Sequence, residues 1–167
     1  MFVEGFSRLS SESRYYRFCA AKNRLSEKEI RYFTDVDQEA HFAIGAVRQE
    51  SDGHEVGIGV GRFIRKSDDQ TRAEPAIVVT DDAQRLGLGH LLGYRLVAAA
   101  RERGVERFDA NVLGSNDRVI RMMKENPDLE LHQYGSEIVA LSNLPSIDPK
   151  ETWAHLHEHD KDANTCK

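Results

Sequence analysis

The 167-residue chain reads as one mixed α/β domain whose sheet combines local antiparallel pairing with at least one parallel crossover. Three observations point there. The apolar periodicity runs helix, helix, several strands, then strand, helix, strand, helix, strand, strand. A dense apolar strand over 73–80 passes through a glycine-containing loop into a strongly amphipathic helix, as a crossover requires. An apolar fraction of 40% with a charged fraction of 31% describes a well-solvated surface around a core large enough to fold unaided.

The elements follow in chain order. Ser10-Ser11-Glu12-Ser13 introduces a helix carrying Tyr15, Tyr16 and Phe18. Ser26-Glu27-Lys28-Glu29 is a capping box, with Ile30 and Phe33 three apart on the helix it opens. Strand patterns follow at 41–47 and 56–64, with Gly53 at the turn between them. Residues 66–70 form a polar loop, and Ile77-Val78-Val79 centres the next strand. Leu88, Leu91, Leu92, Leu96 and Ala99 recur at helical spacing, and Gly104 is placed to stop that helix. A strand over 107–113 leads to a short helix capped by Ser115 or Asn116, with Val119, Ile120 and Met123 on one face until Pro127 ends it. Residues 129–134 and 137–144 flank Gly135-Ser136 as a closing hairpin. The domain is expected to span 1–145, with 146–167 a polar tail holding His155, His157 and His159.

Composition removes several classes. Cys19 and Cys166 lie near opposite ends without metal-ligand spacing, which fits a reducing cytoplasm better than a disulfide framework. No apolar run approaches the roughly 18 residues of a membrane span, and the first residues lack the pattern of a signal peptide. A net charge of −5 argues against a general nucleic-acid binder. The three tail histidines have nothing to fix their geometry, so no metal site is expected.

The chemistry concentrates in Gln84-Arg85-Leu86-Gly87-Leu88-Gly89. The first-turn amides of a helix have no intrahelical partner, and glycines let phosphates approach them closely. Dinucleotide binding is a rival, since Gly87, Gly89 and Gly93 also space as G-x-G-x-x-x-G. It wants its motif at the first strand–helix turn and an acid at the end of the next strand. Here some seventy residues come first, and Asp109 falls inside its strand. Gly57, Gly59 and Gly61 lie in a strand pattern and signal bulging or close packing. No G-K-[ST] follows a glycine loop, which excludes a P-loop nucleotidase.

Q-x-x-G-x-G between a strand and a long helix resembles the central motif of the GNAT acyl-CoA N-acyltransferases. Over about 6–144 the likeness extends to Ala73-Glu74, to Asn116 and to the closing hairpin. The stretches 11–18 and 25–30, with Phe33-Thr34-Asp35-Val36-Asp37 and His41, are similar to the acetyltransferase domain of Pat-type bacterial protein-lysine acetyltransferases. The resemblance implies a mostly antiparallel sheet with a central splayed strand pair and helices on both faces. It implies acetyl-CoA as cosubstrate and an amine acceptor, either a protein lysine or a small amine. Glu74 would be the base. Val78, Val79, Thr80, Gln84, Arg85, Leu86, Gly87, Leu88, Gly89, His90 and Asn116 would form the cofactor site. One departure is evident: Met123 stands where many members carry a tyrosine that protonates the departing thiolate, leaving solvent or another residue such as Tyr94, His132 or Tyr134 as the donor. The alternatives are a non-catalytic acyl-CoA sensor and, further off, a nicotinamide-dependent oxidoreductase.

Overall fold

Residues 2–145 are described by the structure, a computed structural model. Three short helices, α1 (Phe2–Ser7), α2 (Ser11–Phe18) and α3 (Glu27–Thr34), precede the sheet. Local sequence explains the last two. The Ser10 hydroxyl accepts from the Ser13 amide at 3.1 Å, and the Ser26–Glu29 capping box closes in both directions. The sequence gives no sign of α1, which has Gly5 in its middle. Tertiary packing forms it instead: Phe2 lies 5.8 Å from Phe33, and Phe6 lies 5.9 Å from Phe18 between ring centroids.

Six strands follow the order β1-β2-β3-β4-β6-β5. They are β1 (His41–Gln49), β2 (Glu55–Arg65), β3 (Arg72–Val79), β4 (Arg107–Leu113), β5 (Leu129–Tyr134) and β6 (Glu137–Asn143). All neighbours pair antiparallel except β3 and β4. The β5–β6 turn is Gly135-Ser136, with Gly135 at φ 62°, so the glycine supplies the positive φ a tight hairpin needs. The glycines of β2 serve packing, as expected. The β1–β2 register shifts at Ala46/Val47, opposite Gly57, and a Cβ on Gly59 would lie 3.0 Å from the Leu92 side chain.

Helix α4 (Leu88–Glu102) makes the crossover from β3 to β4 and buries Leu92, Leu96, Ala99 and Ala100. Leu96, Ala99 and Ala100 meet Phe63, Ala73, Val105, Phe108 and Leu144 in the main core. Gly104, at φ 76°, ends the helix. Helix α5 (Asp117–Met123) lays Val119, Ile120 and Met123 against Ala110, Val112 and Ala140. Strand alternation puts α4 and α5 on one face of the sheet and α1–α3 on the other.

Strands β3 and β4 pair only at Arg72↔Arg107 and Ala73↔Phe108, then diverge. Pro75 explains why. The Thr80 amide donates to the Ile58 carbonyl at 2.9 Å, so Thr80, Val78, Ala76 and Glu74 direct their peptide groups at β2. Pro75, Ile77 and Val79 therefore direct theirs at β4. Pro75 is the next residue in line to donate there, and it has no N–H. The closed end is clamped by charge. Arg72 Nε donates to Asp109 Oδ2 at 2.8 Å and Arg107 Nε to Asp109 Oδ1 at 3.0 Å, with Asp109 buried.

Candidate active site

Beyond Pro75 the gap between β3 and β4 is edged by the peptide groups of Ile77 and Val79. The Val79 carbonyl accepts from Gln84 Nε2 at 3.0 Å, which confirms its outward direction. The strand residues expected at the cofactor site divide by the direction of their peptide groups. The amides of Val78 and Thr80 are committed to β2, and the Thr80 hydroxyl donates to the Ile58 carbonyl at 3.2 Å. The free strand amides belong to Ile77 and Val79. Sequence alone did not single out Ile77, because alternation leaves open which set of residues faces β2 until the register is known.

Where β3 ends, a short 3-10 turn (Asp81–Ala83) leads into the glycine loop and α4. None of the amides from Arg85 to His90 meets a backbone or side-chain acceptor among the described residues, and the first α4 bond runs from the Leu91 amide to the Gly87 carbonyl at 3.1 Å. Gly87 caps the helix at φ 78°, a conformation a side chain strains. Gly89 has open space where a Cβ would project. Arg85 and Leu86 are exposed, Leu86 at 76%, and Leu88 is half-buried. Six consecutive residues thus offer unpartnered donors at the positive end of a 15-residue helix.

The acids beside this loop are already occupied. Asp81 accepts from the Ser10 amide at 2.8 Å and the Ser10 hydroxyl at 2.7 Å, and Asp82 pairs with Arg8 and Arg48. The two guanidinium groups balance the charge of Asp82, while the Asp81 carboxylate is taken up by neutral donors. Gln84 serves the framework, since its amide nitrogen also donates to Ser13 Oγ at 3.1 Å and its oxygen accepts from Arg118 at 2.6 Å. It ties α2, β3 and α5 together around the gap, so its side chain is not free for a ligand. His90 approaches Glu125 at 3.1 Å on the surface. The Asn116 side chain caps α5 by accepting from the Val119 amide at 3.3 Å.

Glu74 points to the α1–α3 face. It pairs with Lys66 at 3.1 Å and lines a cavity of about 160 Å³ with Arg17, Tyr32, Phe33, Arg62, Ile64 and Ala76. It precedes Ile77 by three residues, about 10 Å of strand, which is too far for direct contact between the two and more than one bridging water spans. A second, apolar cavity of about 240 Å³ adjoins it and includes Phe6, Phe18, Gly59, Val60, Val78 and Thr80. His41 accepts at Nε2 from Arg62 at 3.3 Å and packs on Tyr32 at 5.2 Å. Burial first, then Arg62, lowers its pKa below the usual imidazole value.

Met123 is packed in the α5 core. Of the other donors considered, Tyr94 lies on an exposed flank of α4, and His132 and Tyr134 are on edge strand β5, separated from β4 by β6. Tyr16, which sequence reasoning did not single out, donates its hydroxyl to the Ser115 carbonyl at 3.1 Å beside the end of β4. Among the described residues, no group of three or more metal-ligating side chains gathers, and no helix is long and apolar enough to cross a membrane. His155, His157 and His159 lie outside the described residues. Asp109 is the clamp of the β3–β4 pair, which removes the acid that a dinucleotide reading needs.

A splayed parallel pair that leads into a helix with free first-turn amides defines an acyl-CoA acyltransferase fold. The chain belongs to the acetyltransferase (GNAT) family, whose model matches residues 6–126. Among curated proteins it is 27% identical over 168 residues to the acetyltransferase Pat of Mycolicibacterium smegmatis, covering 96% of this chain and 47% of that protein. It is 30% identical over 102 residues to an acetyltransferase of Pseudomonas aeruginosa, covering 61% of this chain and 54% of that one. The chain therefore spans about half the length of these curated relatives. The crystal structure of the GNAT domain of S. lividans PAT superposes with a TM-score of 0.75 at 28% identity, covering 86% of this chain and 83% of that one. A structure of yncA from Salmonella typhimurium with its cofactor acetyl-CoA shares the fold, with a TM-score of 0.63 at 16% identity over 88% of this chain and 87% of that one.

Proposed function

We propose that this chain is an N-acetyltransferase that moves an acetyl group from acetyl-CoA to a primary amine, with a protein lysine or a small amine as acceptor. The observation that carries the reading is the continuity of the β3–β4 gap with the unpartnered amides from Arg85 to His90. A pyrophosphate on those amides would direct the rest of the cosubstrate along the outward edge of β3. Arg85, exposed beside them, adds a charge. Leu86, Gly87, Leu88, Gly89 and His90 contribute through their main chain. Exposed Cys19, with no disulfide partner among the described residues, suits a cytoplasmic protein.

The chemistry follows from the same edge. An alkyl amine titrates near pH ~10.4, so at neutral pH a base must take its proton before it can attack. Glu74 takes that proton from the bound amine through intervening water. The amine nitrogen bonds to the thioester carbon, and one amide of the open strand edge, that of Ile77 or Val79, holds the oxygen that becomes negative. Collapse of that intermediate breaks the carbon–sulfur bond and expels the thiolate. Met123 cannot protonate it, so the proton comes from solvent or from Tyr16.

The test measures thiol release from acetyl-CoA against a panel of small amines and lysine peptides, in the wild type and in Glu74→Gln. The variant keeps an acceptor for Lys66 but no base, and its turnover should fall by about 10²-fold or more near pH 7. Acetyl-CoA affinity should stay within a few-fold of wild type, and the defect should narrow near pH 10 as more amine arrives unprotonated. Wild-type turnover in Glu74→Gln, with chemistry rate-limiting, refutes the base. The packed Met123 favours one second reading, a sensor: such a protein would bind acetyl-CoA and release no thiol with any amine.

A further inference from the structure

The cavity beside Glu74 holds more positive charge than the reaction uses. Arg62 is 3% exposed. Its Nη2 donates to the Phe33 carbonyl at 3.3 Å and its Nη1 meets His41 at 3.3 Å, while its Nε has no partner. Its guanidinium sits 4.5 Å from the Phe33 ring centroid. Arg17 lies against the same aromatic cluster, 5.1 Å from the Phe18 centroid and 5.7 Å from that of Phe33. Neither arginine forms an ion pair among the described residues. Glu74, the one carboxylate lining the cavity, is bonded to Lys66, and Asp109 is committed to Arg72 and Arg107.

Buried charges are normally paired, because a low-dielectric setting penalises a bare ion heavily. Here two guanidinium groups repel each other in one pocket, and the carboxylate that attracts Arg17 from within it, Glu74, is already bonded to Lys66. Burial, and next the Arg17 charge, push Arg62 down to about 10, so it stays cationic at neutral pH. An arrangement that is unfavourable empty is favourable when an anion enters. Guanidinium groups suit a carboxylate in particular, through parallel N–H bonds to its two oxygens. The cavity, at about 160 Å³, is close to the size of an engineered cavity that admits benzene, about 150 Å³. That admits a group of roughly six heavy atoms, the size of an amino-acid head.

We propose that Arg17 and Arg62 form an acceptor subsite for a carboxylate carried close to the amine that is acetylated, with Glu74 on the amine side. The inference rests on the transferase reading above and deepens it. It makes Arg17 and Arg62 specificity residues, and it explains why a base at the edge of the gap shares its pocket with two unpaired cations.

The test uses acceptors in matched pairs that differ in one carboxylate. L-phenylalanine is set against phenethylamine and L-lysine against cadaverine. A lysine peptide with a neighbouring glutamate is set against the same peptide with glutamine. Calorimetric affinity for the CoA-bound chain is measured alongside thiol release from acetyl-CoA. In at least one pair the carboxylate member should bind about tenfold or more tightly. That preference should collapse towards unity in Arg17→Gln and in Arg62→Met. Arg17 is only half-buried, so Arg17→Gln keeps the test clear of any folding defect from the Arg62 change. The pair that responds tells a free amino acid from an acidic residue beside a peptide lysine. Equal affinity within every pair, or a preference that survives Arg17→Gln in a folded protein, overturns the subsite. Carboxylate-dependent binding without thiol release would overturn the transferase reading alone.

Discussion

Replacing Gly89 by valine separates ligand binding from folding unusually well. No heavy atom lies within 4 Å of the position its Cβ would take, and its φ is not among the positive values. Inside the first turn of α4 a valine even gains a few tenths of a kcal/mol in helix propensity over glycine. What the side chain occupies is the space in front of the amides from Arg85 to His90. Hydrogen bonds to a charged acceptor contribute about 1.5–3 kcal/mol each. Obstructing two of them should cost about 3–6 kcal/mol, which raises the Kd for CoA by roughly 10²- to 10⁴-fold. Calorimetric titration with CoA reads the affinity, and a thermal melt without ligand reads the fold. Gly87→Ala is the instructive control. At φ 78° it adds strain of about 1–2 kcal/mol, so its melting temperature should drop as well. Unchanged CoA affinity in a folded Gly89→Val protein would refute the loop as the pyrophosphate site.

Asp109→Asn should destabilise the fold by about 2–3 kcal/mol in denaturant titration, because Arg72 and Arg107 lose their shared carboxylate but keep some access to water. A loss below about 0.5 kcal/mol would show that the clamp does not hold the closed end of the gap. His41, with its pKa lowered by burial and then by Arg62, binds its proton less readily folded than unfolded. Its contribution is therefore present above the ordinary imidazole value of 6.5 and shrinks as pH falls from there towards the folded value. His41→Gln should flatten that part of the stability–pH curve relative to wild type, and identical curves would refute the coupling.

Much of the fold follows from local chemistry that a sequence displays. The capping box at Ser26, the leucine stripe of α4, the stop at Gly104 and the turn at Gly135 are each governed by a few adjacent residues. They appear where periodicity and turn chemistry put them. The glycine loop was legible for the same reason, since strand, loop and helix are contiguous in the chain. α1 was not legible, because six residues around Gly5 have no helical signal until Phe2 and Phe6 meet the rings of α2 and α3. Pairing likewise escapes a single strand: only the β2–β3 register determines that Ile77 and Val79, rather than Val78 and Thr80, keep their peptide groups open. The same holds for charge. Arg17, Arg62 and Glu74 are ordinary polar residues spread along the chain. Their meeting in one cavity, with a single carboxylate already bonded to Lys66, is a long-range property that no local pattern encodes. By itself the sequence determined the family motif, the elements and the chemistry of the loop. Which amides face the gap, and which charges share the pocket beside the base, were decided only by the tertiary structure, because both depend on partners distant in the chain.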